Sequence, residues 1–350
     1  MPAGAAVDGG GAWAEVAVSA GTDAMPLSVL SAISCVSVSA CTAVGAVVST
    51  SLSPARDALA VTWNGHVWTS VPTPAVGTNA QLFGVSCTST NFCVAVGTND
   101  AGALIEQWDG TTWSIAAVPA SAGAQLSGVS CASPTFCVAT GSTGTSASSA
   151  ALIEQWDGTS WSVATTPAGT STSLTGVSCP STSFCVVVGG QGTVADQTLV
   201  EQWDGTSWST VPSPNPGTAS NALSGVSCIG PSFCAAVGYQ MTGSPFVQSD
   251  QRSLAELWDG HTWRAASPGD PAGSGLGSVS CTSSSACTAV GGVVQSGNTE
   301  VQLVDSWNGS AWSPQPVPGD QTFTGLNGVA CTAPSACTAV GAVSAYANPP

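Results

Sequence analysis

The cysteines are the residues whose chemistry is most evident in this sequence. Fourteen cysteines occur as seven pairs, and five residues separate the two members of every pair. The pairs are Cys35 and Cys41, Cys87 and Cys93, Cys131 and Cys137, Cys179 and Cys185, Cys228 and Cys234, Cys281 and Cys287, and Cys331 and Cys337. A zinc site would need closer spacing with further ligands nearby.

Five intervening residues fit a turn between two strands, and cross-strand Cβ atoms are close enough to be bridged. We therefore predict one hairpin disulfide for each pair, with reduced buried cysteines as the alternative. Seven disulfides would require an oxidising compartment, so we expect a secreted or cell-surface protein.

Other groups that could perform catalysis are few. The two histidines, His66 and His261, each follow the glycine of a tryptophan-flanked turn, where the other turns have Thr or Ser. They are interpreted as surface substitutions. The chain has no lysine, and no Ser-His-Asp or Cys-His set stands at plausible positions. We predict no catalytic residue, no metal site and no cofactor, although a pair of carboxylates remains open as a catalytic alternative.

Five acidic residues recur at one position of the repeated sequence. They are Glu106, Glu154, Glu201, Glu256 and Asp305. Repetition favours a structural role, in which each acid hydrogen-bonds to a neighbouring blade. The alternative is a ring of acids that binds cations.

The elements that position these residues follow from one repeated unit, best seen between Leu174 and Pro214. Its four short apolar pieces are Leu174–Cys179, Cys185–Gly189, Leu199–Trp203 and Trp208–Val211, and each is bounded by Gly, Pro, Asp or Ser. Each piece has the length and composition of a strand. Four strands in roughly 50 residues are typical of one blade of a β-propeller.

The segment LxGVSC and its variants begin seven units, and the turn W-D/N-G-x-x-W occurs six times. The last unit stops after two strands, while the N-terminal segment around Asp8, Gly9 and Trp13 matches the two missing ones. We predict an all-β, seven-bladed β-propeller with four-stranded blades and one hairpin disulfide per blade. Residues 1–350 would form a single domain, whose ring is closed by pairing N- and C-terminal strands in one blade, from about 1–20 plus 322–350.

Charge and hydropathy exclude several classes of partner. The net charge is −16, and only 6% of the 350 residues are charged. A chain without basic patches is a poor ligand for nucleic acid or for an anionic membrane surface. No apolar run is long enough for a membrane helix, so we expect no membrane insertion. Met1–Gly11 lacks the pattern of a signal peptide, so a secreted protein would have its signal peptide outside this chain.

The connections between strands differ on the two sides of the predicted ring. The Cys-to-Cys and Trp-to-Trp turns have constant lengths and lie on one side, whereas the connections on the other side vary. Variable loops on one rim are typical of a recognition face. The longest is Tyr239–Ser253, and Tyr239, Met241, Phe246 and Arg252 are the candidate ligand-binding residues. Alternatively, this loop folds its own aromatic residues over the blade.

The repeat of GVSCxSxxFCxAVG followed by LIEQWDGTSWS resembles an uncharacterised family of predicted secreted actinobacterial proteins with Cys/Trp repeats. That family is loosely grouped with kelch and galactose-oxidase-type propellers. The resemblance implies the fold and an extracellular setting but no activity. The copper ligands of galactose oxidase are not present here. Tryptophan-rich lectin propellers, which bind sugars between blades, are similar in architecture only.

These observations predict a non-catalytic extracellular recognition module that binds a glycan, in a lectin-like manner, or an extracellular protein through the variable rim. Several shallow sites would gain strength by multivalency. The alternatives are a glycan-processing enzyme with a carboxylate pair in the central funnel, and a structural subunit of a larger secreted assembly.

Overall fold

The short apolar pieces of every repeat unit form antiparallel strands in the computed structural model. The structure describes residues 4–8, 13–17, 28–48, 56–74, 76–119, 123–144, 149–192, 196–243, 247, 250–295, 300–317 and 323–343.

The described residues form 28 strands. In chain order these are β1 (Gly4–Asp8), β2 (Trp13–Ala17), β3 (Ser28–Ser37), β4 (Ala40–Val48), β5 (Arg56–Trp63), β6 (Trp68–Val71), β7 (Gln81–Ser89), β8 (Phe92–Asn99), β9 (Gly102–Trp108), β10 (Trp113–Ile115), β11 (Gln125–Ser133), β12 (Phe136–Thr143), β13 (Ala150–Trp156), β14 (Trp161–Val163), β15 (Thr172–Ser181), β16 (Phe184–Gln191), β17 (Gln197–Trp203), β18 (Trp208–Thr210), β19 (Ser220–Gly230), β20 (Phe233–Met241), β21 (Gln251–Trp258), β22 (Trp263–Ala265), β23 (Ser274–Ser283), β24 (Ala286–Val294), β25 (Glu300–Trp307), β26 (Trp312–Pro314), β27 (Phe323–Ala333) and β28 (Ala336–Val343).

The blades follow the order of the sequence from the centre outwards. Five sheets have four strands each, and they run from β7, β11, β15, β19 and β23 on the inside to β10, β14, β18, β22 and β26 on the outside. The remaining eight strands form one sheet. Within it, β27, β28, β1 and β2 make one repeat unit from both ends of the chain, and β3 to β6 make the first unit.

The prediction of seven separate blades is wrong. Counted as hydrogen-bonded sheets, the propeller has six blades, five of four strands and one of eight. Ala342 of β28 pairs with Val29 of β3 as well as with Gly325, at a register shift in β27, and this pairing joins the split unit to the first one. Each four-stranded blade contains one disulfide, and the eight-stranded sheet contains two. The assignment of 1–350 to a single domain stays a prediction.

The hydrophobic core lies between the blades. One cluster, for example, combines Val186, Val188 and Val200 of one sheet with Leu223 and Trp258 of the next. Both faces of each strand are therefore buried near the middle of the blade, and the apolar residues run continuously rather than alternating with polar ones.

A glycine four residues after the second cysteine is required by a close approach of two strands. A Cβ atom on Gly141 would lie 1.9 Å from the backbone oxygen of Gln125, beside the register shift between Leu126 and Gly128. No side chain fits at that distance. The same close approach occurs at the equivalent glycines of the other units, which are Gly45, Gly97, Gly189, Gly238, Gly291 and Gly341.

Serines of the GVSC segments join consecutive inner strands. The Ser86 hydroxyl accepts a hydrogen bond from the Cys131 N–H of the next unit at 3.0 Å. Five further bonds of the same kind measure 2.9–3.0 Å, and their acceptors are Ser34, Ser130, Ser178, Ser227 and Ser280. The last unit has Ala330 at this position, which has no hydroxyl.

Candidate functional site

The turns of constant length form one rim of the propeller, called here the fixed rim, and they are structural. In the turn Asp109–Thr112, one Asp109 oxygen accepts hydrogen bonds from the N–H groups of Thr111 and Thr112 at 2.8 Å. These bonds hold the pKa of Asp109 at about 2, below its ordinary value. Gly110 supplies the positive φ of 99° that the turn needs.

The tryptophans flanking these turns connect the outer and inner hairpins of a blade. The ring centroids of Trp108 and Trp113 are 5.6 Å apart, as expected for a cross-strand pair. The Trp108 indole N–H donates to the Thr90 backbone oxygen, in the turn closed by Cys87 and Cys93. The two kinds of constant turn therefore lie on the same rim, as predicted.

The two histidines belong to the turns of this rim. His66 and His261 are both exposed, and each uses its backbone N–H to bond the side chain that begins its turn.

The seven predicted disulfides are confirmed, and the described residues include no free cysteine. The two Cα atoms of each pair are 4.0–4.1 Å apart, because the cysteines face each other across one hairpin. The bonds join Cys35 to Cys41, Cys87 to Cys93, Cys131 to Cys137, Cys179 to Cys185, Cys228 to Cys234, Cys281 to Cys287 and Cys331 to Cys337.

The alternative of reduced, buried cysteines is therefore wrong, because all fourteen cysteines are in disulfide bonds, although the second cysteine of each pair is indeed buried. The second cysteine of every pair is at most 4% exposed, and these residues are Cys41, Cys93, Cys137, Cys185, Cys234, Cys287 and Cys337. Because their sulfurs are bonded and enclosed in the blade, the cysteines are structural. None of them is a thiolate that could act as a nucleophile or as a metal ligand.

The disulfides also bear on the setting of the protein. Seven of them indicate an oxidising or extracellular environment. The described residues contain no helix with the length and apolarity that crossing a membrane demands.

On the opposite side, where connections vary in length, a polar cleft of about 510 Å³ opens across three consecutive sheets. This rim cleft is lined by Gln125, Ser142, Gly144, Ser149, Ser171, Thr172, Ser173, Thr175, Gly190, Gly192, Asp196, Ala222, Leu223, Ser224 and Tyr239. Seven of these residues carry hydroxyls of Ser or Thr, and Asp196 is the one carboxylate in the described lining.

Tyr239 is the aromatic residue of the rim cleft. It lies at the outer end of β20, half-buried, and pairs across the strands with Ala222 and Ser253. Burial, and then the negative charge of Asp196, raise the pKa of the Tyr239 hydroxyl. The hydroxyl is therefore a neutral group able both to donate and to accept a hydrogen bond near a carboxylate.

The structure does not bring all four predicted ligand-binding residues together. Met241 is 6% exposed and therefore largely inside the protein. Arg252 pairs with Gln240, so its side chain projects from the face of the sheet opposite to Tyr239. Its Nη1 donates to the Gln251 oxygen at 2.7 Å. Phe246 lies outside the described residues. The ligand-binding role of all four remains a prediction.

The five recurrent acids are fully buried on the third strands of their units. Glu201 accepts hydrogen bonds from the Thr166 hydroxyl at 2.7 Å and the Ala168 N–H at 2.8 Å. Glu256 accepts one from the Ser213 hydroxyl at 2.6 Å. These donors belong to the connection that leaves the preceding blade, so the predicted bonds to a neighbouring blade are confirmed for Glu201 and Glu256.

Glu106 and Asp305 differ, because neither carboxyl group receives a hydrogen bond from a donor in the described part of the chain. Burial raises the pKa of Glu106 to about 7. Burial, with the adjacent carboxyl of Asp270, raises the pKa of Asp305 to about 7. A carboxyl group without donors in an apolar interior favours its neutral form.

The axis of the propeller holds a cavity of about 240 Å³ between the inner strands. Its described lining consists of small, hydroxyl and apolar residues with Asn327, and no carboxylate belongs to it. The buried acids lie farther out, on the third strands. The described residues therefore contain no pair of acids in the funnel of the kind that glycoside hydrolysis uses.

Comparison with known proteins places the chain by its fold. No family model and no curated protein sequence matches it. Among solved structures, it is similar to a GH74 xyloglucanase from Xanthomonas campestris, with 12% identity and a TM-score of 0.61, covering 91% of this chain and 51% of that one. It is also similar to U3-55K, with 11% identity and a TM-score of 0.57, and to YCF48 bound to a D1 peptide, with 12% identity and a TM-score of 0.54. Both of the latter matches cover 97% of this chain and 100% of the other.

At these identities the similarity shows a β-propeller fold and nothing finer. The disulfide-bonded hairpins agree with the Cys/Trp-repeat pattern, while the resemblance to an actinobacterial family stays a prediction.

Sequence reasoning missed the rim cleft and the serine bonds between units. The cleft is formed by connections of three units, and no pattern within one unit reveals how their loops meet. The serine can be recognised in the sequence, because six of the seven copies of the segment have a serine directly before the first cysteine. The repeat does not show that the serine hydroxyl accepts a backbone hydrogen bond from the next unit, which the structure reveals.

Proposed function

We propose that the protein is a non-catalytic recognition module of the extracellular space that binds a glycan in the rim cleft. The observation that carries this proposal is the lining of the cleft, in which Ser and Thr hydroxyls surround Tyr239 and Asp196. A volume of about 510 Å³ falls within the range of small-ligand sites.

The chemistry of the lining suits a polyhydroxylated ligand. Sugar hydroxyls both donate and accept hydrogen bonds, and the hydroxyls of Ser and Thr do the same. Asp196 offers two acceptor oxygens for neighbouring sugar hydroxyls. The half-buried ring of Tyr239 offers an apolar surface beside the polar groups, which a sugar ring can cover.

The cleft favours binding over bond cleavage. Glycoside hydrolysis requires two carboxyl groups on opposite sides of the scissile bond, and Asp196 is the one acid in the described lining. A second candidate ligand is an extended peptide. It is favoured by the structural similarity to YCF48, which has been solved with a D1 peptide.

The proposal is tested on the disulfide-bonded protein by a glycan array, followed by calorimetry with the sugar class that binds. We expect Tyr239→Ala and Asp196→Asn each to weaken binding by about tenfold or more. His66→Ser is the matched control, because it changes an exposed residue of the fixed rim to one found in the equivalent turns. Its affinity should equal that of the wild-type protein.

If the protein binds a sugar saturably and both cleft variants bind it with the same affinity, the sugar site is not the rim cleft. A folded, fully oxidised protein that binds no sugar would refute a glycan ligand. Binding to a peptide library, lost in the same two variants, would instead assign a protein partner.

A further inference from the structure

Asp305 differs from Glu201 and Glu256 in the group that lies next to its carboxyl. Glu201 and Glu256, at the same register, each receive hydrogen bonds from the connection that leaves the preceding blade. Asp305 meets a second acid at this place. The Asp270 side chain, in the connection between β22 and β23, lies within hydrogen-bonding reach of the Asp305 carboxyl.

The surroundings of this pair contain more acceptor oxygens than donors. Both oxygens of Asp305, Oδ2 of Asp270 and the hydroxyl of Ser253 are buried without a well-aligned hydrogen-bond partner among the described groups. Asp305 is 0% and Ser253 is 1% exposed, and the Ser253 side chain lies beside Asp270.

A shared proton satisfies only part of this arrangement. It would neutralise one charge and make one hydrogen bond between the two carboxyl groups. One negative charge and several buried oxygens would still lack a partner. A divalent cation would balance both charges and accept lone pairs from the two carboxylates and the hydroxyl together.

We propose that Asp270, Asp305 and Ser253 form a binding site for a calcium ion, which joins the outgoing connection of one blade to the third strand of the next. All the ligands offered are hard oxygens, the type that Ca²⁺ prefers. Waters or backbone carbonyls complete its usual six to eight ligands. Sites in extracellular modules bind Ca²⁺ with dissociation constants of about 10⁻⁴–10⁻³ M, which suits the oxidising setting indicated by the disulfides.

The test uses the full-length oxidised protein and measures its thermal unfolding midpoint in about 5 mM Ca²⁺ and in EGTA, with calorimetric titration of Ca²⁺ as an independent readout. We expect Ca²⁺ to raise the midpoint of the wild-type protein by about 2 °C or more. Asp305→Asn and Asp270→Asn should abolish this rise and the heat of binding, and Ser253→Ala should reduce both.

Glu201→Gln is the matched control. It changes the acid at the same register of another unit, where donors already surround the carboxylate, and its response to Ca²⁺ should equal that of the wild-type protein. If Asp305→Asn fails to fold, Asp270→Asn and Ser253→Ala carry the test.

Two outcomes would overturn the proposal. One is a wild-type midpoint that Ca²⁺ does not change. The other is an equal response to Ca²⁺ in the wild-type protein and the Asp270→Asn variant. A midpoint that depends on pH but not on Ca²⁺, and loses that dependence in Asp305→Asn, would show that the pair shares a proton and holds no cation.

Discussion

Relative to the wild-type protein, Glu106→Gln should be more stable at alkaline pH than at acidic pH. Glu106 is 0% exposed and receives no hydrogen bond from the described residues. Thr73 occupies the position equivalent to Thr166, five residues after the second tryptophan of its turn. Its hydroxyl donates to the Ala58 oxygen and so is not available to the carboxylate.

The size of the expected change in stability follows from the pKa of Glu106. Burial raises the pKa of Glu106 from 4.5 to about 7, which corresponds to a cost of about 3 kcal/mol for keeping the charged form in the folded protein. The folded state holds its proton more tightly than the unfolded state. Stability is therefore highest below the unfolded pKa, falls as the pH rises from about 4.5 to about 7, and is constant above that range.

Glutamine has nearly the same shape and no charge, but its amide brings donors that lack partners, at a cost of about 1–3 kcal/mol. This cost does not depend on pH. The free energy of unfolding of Glu106→Gln relative to wild type should therefore rise by about 3 kcal/mol between pH 4 and pH 8.

The assay is urea unfolding followed by tryptophan fluorescence at both pH values, with all disulfides intact. Glu201→Gln is the comparison, because the Glu201 carboxylate has the Thr166 and Ala168 donors. Burial also raises the pKa of Glu201, but these hydrogen bonds oppose the rise, so the stability difference between Glu201→Gln and wild type should change less between the two pH values. A difference between Glu106→Gln and wild type that is equal at the two pH values would refute the assignment of a raised pKa.

Three further predictions concern the scaffold. Ala330→Ser supplies the hydroxyl that the last unit lacks and should raise the free energy of unfolding in urea by about 1 kcal/mol. Ser86→Ala removes such a hydroxyl and should lower it by about 1–2 kcal/mol. If the two variants changed the free energy of unfolding in the same direction and by the same amount, the role of the serine bonds would be contradicted. Replacing Cys131 and Cys137 together by serine removes a loop-closing bond and should cost roughly 2 kcal/mol in the same assay, while an unchanged midpoint would mean that the short loop adds nothing. Gly141→Ala places a Cβ atom 1.9 Å from a backbone oxygen, so it should lower the yield of folded protein in a thiol-accessibility measurement, and normal folding would show that the two strands can separate.

Much of the scaffold could be predicted because each unit carries its own local signals. The paired cysteines, the Asp-Gly or Asn-Gly turns and the tryptophan pairs are short-range features, and the sequence contains them six or seven times. The pairing of terminal strands was predictable as well, since the N-terminal segment matches the strands missing from the last unit; β1 does pair with β28.

The features that could not be predicted from the sequence depend on contacts between repeat units. Ala342 pairs with Val29 across the junction of the split unit and the first one, and a count of repeats cannot show that two units share a sheet. Asp270 lies in a connection with no fixed spacing to Asp305, so their proximity has no sequence signature. The rim cleft combines short stretches of three units in the same way.

The junction between the split unit and the first unit, inside the eight-stranded sheet, is built differently from the junctions between the other units. Ala330 replaces the serine that bonds other inner strands, and Val61 occupies the register position of the buried acids. Val61 is 0% exposed and belongs to a cluster that includes Val340 of β28. The described residues also make polar contacts at this junction, which include the hydrogen bond from the Asn327 amide to the Leu30 oxygen and the pairing of Ala342 with Val29. Strand pairing at this junction joins segments more than 300 residues apart, and the entropic cost of closing so long a loop rises only slowly with its length, so a short stretch of pairing backed by apolar contacts is consistent with this closure.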